Sequence, residues 1–339
     1  MIIRDYMKHG PFLNNDKTLY LIATSFGCTI SPYKERLDKA ISNFKDKNIN
    51  VFEGKYIRKK YRLLASTPKI IADEFLNAYK NFDMIQSVGG GEAMIEILPY
   101  INFEKIKKLP PKFFMGYSDN TVLTFLLPTI CDVMSIYGGC APEFGSNTLI
   151  DYQLDQINLI KGLKFKFKGY PMYEIESLKD DDPYSSLNLT EKSVISTYNL
   201  NDDYIEGRII GGCIDVVSTL IGTKYDNIKS FNEKYDDIIW FFEACDMTPI
   251  EVYRRLLQMK YANWFIKAKA FVFGRPLNKE IMFDKDYKDY IIYALTDLNL
   301  PIIFDLDIGH VKPQIPVIVG SKCKINVYDN TYDIEYILE

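Results

Sequence analysis

Apolar and polar positions switch between two periods over the first 150 residues. Thr18 to Thr24 is a short apolar run that ends in Ser25-Phe26-Gly27, which predicts a strand entering a turn. Tyr33 to Phe44 and Lys69 to Phe82 space their apolar residues as amphipathic helices do. Ile49–Phe52, Met84–Val88 and Lys112–Met115 are further strand-like runs, and a helix is expected from about Asp119 to Thr129. Strand–helix alternation with short connections predicts an α/β fold with a parallel, doubly wound sheet.

The pattern weakens between Gly145 and Asn201. Asp, Lys, Ser, Asn and Tyr dominate there, around the run Lys179-Asp180-Asp181-Asp182-Pro183, so a linker with mobile loops is expected. From Tyr204 onward, Asp237–Phe242, Ala268–Phe273 and Ile302–Leu306 are buried strands, and Pro249–Trp264 is a helix with Pro at its start. Beyond Val317, alternation such as Lys324-Ile325-Asn326-Val327-Tyr328 suits antiparallel hairpins. The division expected is therefore 1–150, a linker over 151–203, and a mixed, partly barrel-like second domain over 204–339.

Composition narrows the classes. At 339 residues, 47% of them hydrophobic, the chain is long enough for two cores. A net charge of −4 leaves no basic footprint for nucleic acid. No run of about 18 apolar residues predicts a membrane span, and the start Met1-Ile2-Ile3-Arg4-Asp5 does not resemble a signal peptide. Six scattered cysteines form no C-x-x-C pair, so reduced thiols in a cytoplasmic protein are expected, with no metal and no cofactor.

The candidate chemistry begins at Gly116-Tyr117-Ser118-Asp119, where a strand gives way to a helix. Hydrolases present a nucleophilic serine on such a turn, with the helix amides available to an oxyanion. Position 120 is Asn120 where G-x-S-x-G would have glycine, and Ser118 or Asp119 acting simply as a helix cap is the other reading. The chain has two histidines; His9 lies in a polar terminal segment, and His310 follows the apolar run Ile302–Leu306 through Gly309. If a serine–histidine pair operates, His310 is the base. Glu243 ends the run Ile238-Ile239-Trp240-Phe241-Phe242 and is either the carboxylate that orients His310 or one that emerges into solvent. Gly89-Gly90-Gly91 allows close backbone approach to a ligand; with Met94 at the third fingerprint position it is no dinucleotide motif. The Gly90 and Asp119 amides are the expected oxyanion hole.

Taken together and in order, these segments resemble the L,D-carboxypeptidases and their relatives, the microcin C immunity proteins. The resemblance runs from about Leu19 to Gly320. It rests on Gly54-Lys55-Tyr56, Ala65-Ser66-Thr67-Pro68, Gly89-Gly90-Gly91, Gly116-Tyr117-Ser118-Asp119, Gly207-Arg208-Ile209-Ile210-Gly211-Gly212, Gly222-Thr223, Phe242-Glu243 and Gly309-His310. It implies a Ser118–Glu243–His310 triad, a Rossmann-like N-terminal domain carrying the nucleophile and a barrel-like C-terminal domain carrying the acid and base. It further implies a site between the domains and a homodimer. The substrate implied is a murein tetrapeptide or a peptidyl-nucleotide antibiotic. Cys213 stands where the family commonly has Asn, and the 173–200 loop lacks the Trp associated with nucleobase stacking in the immunity branch, leaving Tyr184 or Tyr198 for that role. Gly91 and Arg208 are further candidates for binding substrate, with Arg254 and Arg255 as other possible carboxylate anchors. From another class, a non-catalytic two-domain small-ligand or peptide-binding protein remains the alternative.

Overall fold

The computed structural model describes residues 6–14 and 16–338. Strands β1 (Thr18–Ile22), β2 (Asn50–Glu53), β3 (Met84–Ser87), β4 (Phe113–Gly116) and β5 (Ser135–Tyr137) are parallel to one another, in the order 2-1-3-4-5. Helices Tyr33–Asp46 and Pro68–Asn81 provide the crossovers between β1, β2 and β3, each burying one apolar stripe. In this topology the strand order reverses between β1 and β3. Ligands of open α/β sheets bind outside the carboxyl ends of the strands at such a point.

The stretch expected as linker and loops holds helix Asp151–Ile160 and four short strands: β6 (Lys166–Lys168), β7 (Met172–Glu174), β8 (Leu189–Lys192) and β9 (Ser196–Tyr198). Two of these strands, β6 and β9, are the end members of a second sheet built mainly from later residues. Its centre is β10 (Tyr204–Cys213), β11 (Ile238–Glu243), β12 (Ala268–Gly274) and β13 (Ile302–Leu306), mutually parallel. Short strand β14 (Val317–Val319) crosses back to pair antiparallel with β5 of the first sheet. The hairpin β15 (Lys322–Tyr328) and β16 (Thr331–Ile337) completes the second sheet, giving the order 6-16-15-10-11-12-13-9. The result is a first sheet that is parallel except for its edge strand β14, and a mixed second one.

Helix Thr121–Cys131, which follows Ser118, joins the two halves. It packs against β4 and β5 and also against β10. All its residues except Ile130 are buried, which is why it is apolar all round rather than striped. Phe125 on this helix stacks on Trp264 at 5.5 Å between ring centroids, and Trp240 of β11 closes the cluster. Both tryptophans are therefore core residues. No helix among the described residues is long and apolar enough to cross a membrane.

Candidate active site

The carboxyl ends of β1, β3, β4 and β5 open into one cleft of about 470 Å³. It is lined by Phe26 to Tyr33 residues after β1, Val88 to Glu92 after β3, Tyr117 and Ser118 after β4, and Cys140, Pro142 and Glu143 after β5. His310 reaches the same cleft from the second half of the chain.

Ser118 sits at φ +62°, in the left-handed region. For a residue with a Cβ this conformation costs about 1–2 kcal/mol. The neighbouring side chains hold the turn in place. The Asp119 carboxylate accepts from Ser25 Oγ at 2.6 Å and from the Met94 amide at 2.9 Å. Asn120 Nδ2 donates to the Gly89 carbonyl at 2.9 Å, and its Oδ1 accepts from Thr24 Oγ1 at 2.6 Å. Asn120 thus clamps the triglycine loop, a task that glycine at position 120 would leave undone. A Cβ on Gly90 would stand 2.9 Å from both Cβ and Oγ of Ser118, so the backbone at Gly90 lies directly against the serine.

Glu243 and His310 come from the ends of β11 and β13. Glu243 is fully buried, and its Oε2 lies 2.8 Å from His310 Nδ1. Gly309 makes this approach possible: its φ is +102°, and a Cβ there would stand 2.5 Å from the Glu243 carboxylate. Burial pushes the Glu243 carboxyl up, but the His310 charge and hydrogen bonds from His310, Tyr137 and Cys213 outweigh it, so the carboxyl is held below its ordinary range. Burial lowers His310 in turn, and the Glu243 carboxylate overcomes this to hold the imidazole above its ordinary 6.5. Cys245 also neighbours His310, yet burial pushes its thiol up and keeps it neutral. The largest charge acting on the ring is that of Glu243.

Tyr137, at the end of β5, ties the two halves of the site together. Its hydroxyl donates to Glu243 Oε1 and accepts the Ser118 N–H at 3.3 Å. Burial and the Glu243 charge push the phenol well above its ordinary range, so it remains a donor. Tyr117 packs its ring 5.0 Å from that of His310 and donates to Glu143 Oε1 at 3.1 Å. Lys312 lies 3.9 Å above the Tyr117 ring centroid.

Sequence reasoning brought Ser118, Glu243, His310, Gly90, Gly91 and Asp119 to this region. It missed Tyr137, Tyr117, Glu143 and Lys312. The Gly138-Gly139 pair after Tyr137 was the one signal for a strand end facing a site. Two other candidates lie elsewhere. Arg208 lines a separate hollow of about 940 Å³, with its guanidinium 4.4 Å over the Tyr235 ring and a bond to the Gly320 carbonyl. That hollow is larger but holds no serine or histidine. Tyr184 stands on the outer loop, outside the cleft lining, where its carbonyl accepts from the Asn147 amide. Cys213 pairs with Glu243 in the β10–β11 register and touches its carboxylate, so the residue replacing Asn is in contact with the candidate triad. Among the described residues no cluster of three or more His, Cys, Asp or Glu is arranged to hold a metal.

Residues 19–138 match the model of the LD-carboxypeptidase N-terminal domain, and residues 206–325 match that of the C-terminal domain. A probable murein peptide carboxypeptidase of Bacillus subtilis is 24% identical over 333 residues, covering 95% of this chain and 93% of its own. A putative carboxypeptidase of Rickettsia conorii is 25% identical, covering 84% of this chain and 82% of its own. Among solved structures, an MccF-like protein from Bacillus anthracis superposes with a TM-score of 0.82 at 20% identity, over 97% of this chain and 99% of the other. The microcin C immunity protein MccF, solved with glutamyl sulfamoyl guanosine, superposes at 0.80 and 19% identity, over 98% and 99%. With both family domains matched in order and spanning the two halves that meet at this cleft, the chain belongs to the LD-carboxypeptidase family and is a serine peptidase.

Proposed function

We propose that Ser118, His310 and Glu243 form a nucleophile, base and acid that hydrolyse the amide bond near the C-terminal end of a small peptide or peptide conjugate. The observation that carries this is the buried Glu243 carboxylate clasping His310 Nδ1 at 2.8 Å, with His310 and the left-handed Ser118 lining one cleft. His310 takes the Ser118 proton through Nε2 as Oγ attacks the carbonyl carbon. The amides of Gly90 and Asp119 receive the oxyanion. His310 returns the proton to the leaving nitrogen, the amide breaks, and an acyl-Ser118 ester remains. Water, deprotonated by the same imidazole, releases the acid. Glu243 holds the ring tautomer and stabilises the imidazolium.

The substrate is proposed from the relatives. One is named for murein peptides, and MccF has been solved with glutamyl sulfamoyl guanosine and aspartyl sulfamoyl adenosine. Peptides of the first kind and conjugates of the second are the two candidates. A nucleophile-bearing unit over 1–150, an acid- and base-bearing unit over 204–339, a homodimer and a cytoplasmic location belong to the same proposal.

A serine-directed phosphonate together with both substrates tests it. Ser118 should be labelled, and Ser118→Ala should lose labelling and at least about 10⁴-fold in turnover. An unlabelled Ser118 in a folded protein would favour a binding protein instead.

A further inference from the structure

A carboxypeptidase or a conjugate hydrolase must recognise an anionic end of its substrate, and the arginines singled out from sequence do not line the cleft. Among the described residues that do, Lys60 and Arg62 are the two with a fixed positive charge. The segment carrying them packs on the turn after β1: the Cys28 amide donates to the Ile57 carbonyl at 2.9 Å, and a Cβ on Gly27 would meet the Lys59 carbonyl at 2.3 Å. Tyr61 and Leu64 then exchange backbone hydrogen bonds of 2.6 and 2.9 Å, closing a tight two-residue turn at Arg62-Leu63. Arg62 stands in that turn at φ +53°, a position that glycine or asparagine would occupy without strain. Strained backbone kept at a cleft-lining residue points to a use for its side chain.

The electrostatic setting agrees. Arg58, four residues earlier, is held between Asp38 and Glu53, each at 2.5 Å. Lys60 and Arg62 make no salt bridge or side-chain hydrogen bond among the described residues; Arg62 lies only along the Tyr61 ring. Elsewhere in the cleft stand Glu92 and Glu143. Burial and the charges of Asp119, Asp246 and Asp215 push the Glu92 carboxyl up, against the charge of His310.

We propose that Lys60 and Arg62 form an anion subsite that takes the carboxylate or phosphate of the substrate and sets a preference for charged over neutral ligands. This rests on the cleft being the substrate site. Guanidinium and ammonium donors bind either oxyanion through charge-assisted hydrogen bonds.

Binding to the Ser118→Ala variant, which needs no turnover, tests the idea. Two matched pairs serve as calorimetric probes: N-acetyl-L-lysyl-D-alanine against its C-terminal amide, and AMP against adenosine. At low salt at least one charged probe should bind about five- to tenfold more tightly than its neutral twin. That preference should vanish in Ser118→Ala/Lys60→Ala/Arg62→Gly, where glycine keeps the turn unstrained. The responding pair identifies the anion as peptide carboxylate or nucleotide phosphate. A preference surviving in the triple variant, or absent from both pairs at the start, overturns the subsite. Failure of Ser118 to label in the unsubstituted chain would refute the hydrolase reading while leaving this result standing.

Discussion

The Tyr137 hydroxyl bonds Glu243 Oε1 from one sheet to the other while accepting the backbone N–H of Ser118. One phenol therefore neutralises part of the Glu243 charge and fixes the turn that carries Ser118. Tyr137→Phe removes both contacts and leaves one oxygen of a fully buried carboxylate short of a donor, at a cost of about 1–3 kcal/mol in stability. The less neutralised Glu243 then stabilises imidazolium more strongly. In the proposed mechanism His310 must be neutral to accept the Ser118 proton, so the acidic limb of the kcat/KM profile should move to higher pH. A purely structural tyrosine would lower stability without moving that limb, and an unmoved limb would refute the assigned role.

The Glu243–His310 pair makes stability depend on pH in a defined direction. His310 is raised in the folded chain, so its contribution is complete below 6.5 and fades as pH climbs through the folded value. Glu243 is depressed, so its contribution is complete above 4.5 and fades as pH falls through its folded value. The two overlap fully between 4.5 and 6.5. The melting-temperature gap between Ser118→Ala and Ser118→Ala/Glu243→Gln should therefore be widest in that window and narrow in alkaline buffer. A gap that widens toward alkaline pH contradicts the ion pair.

Much of this was legible because local pattern and tertiary role coincide. Helices Tyr33–Asp46 and Pro68–Asn81 bury single stripes, and β11 is a run of five apolar residues that ends on Glu243. Ser118 was visible as a strand-to-helix serine. Asn120 obscured it, because its value lies in bonds to Gly89 and Thr24, the latter 96 residues away. Tyr137 ends a three-residue strand, and its partner Glu243 is 106 residues distant, so no periodicity announces the pair. Strands β6 and β9 are three residues long, too short to show a period, and β8 is exposed throughout, so no alternation announces it. Arg208 could not be placed from sequence, because the groups that hold its guanidinium, the Gly320 carbonyl 112 residues away and the Tyr235 ring, meet it only in the fold.

Gly90 is where the smallest substitution should have a large effect on chemistry. Gly90→Ala places a methyl 2.9 Å from Ser118 Oγ, and Ser118 is confined by the Asp119 and Asn120 clamps. Ser118 or the triglycine loop must shift. Displacements near 1 Å at a reacting group cost about 10²-fold in rate. Phosphonate labelling of Ser118 should slow by about that factor while thermal stability stays close to that of the unsubstituted chain. Labelling at the original rate would show that the loop does not press on the serine.

Glu143 and Lys312 support the cleft floor as a buried ion pair, 4.0 Å apart, with Lys179 3.8 Å from the same carboxylate oxygen. Burial pushes Glu143 up, but the charges of Lys179, Lys312 and Arg36 pull it down to about 2. It is thus ionised in the folded protein throughout the neutral range. Lys312→Met leaves that buried charge facing Lys179 and the more distant Arg36 alone and should cost about 3 kcal/mol. Because Lys312 Nζ also donates to the Gly309 carbonyl at 3.3 Å, beside His310, the variant should lower kcat more than it raises KM. Glu143→Gln/Lys312→Met removes both charges and should recover most of the lost stability without restoring kcat. Chemical denaturation of the four chains of this cycle, with turnover measured on each, separates the two effects: an additive double variant would show that the pair is not coupled.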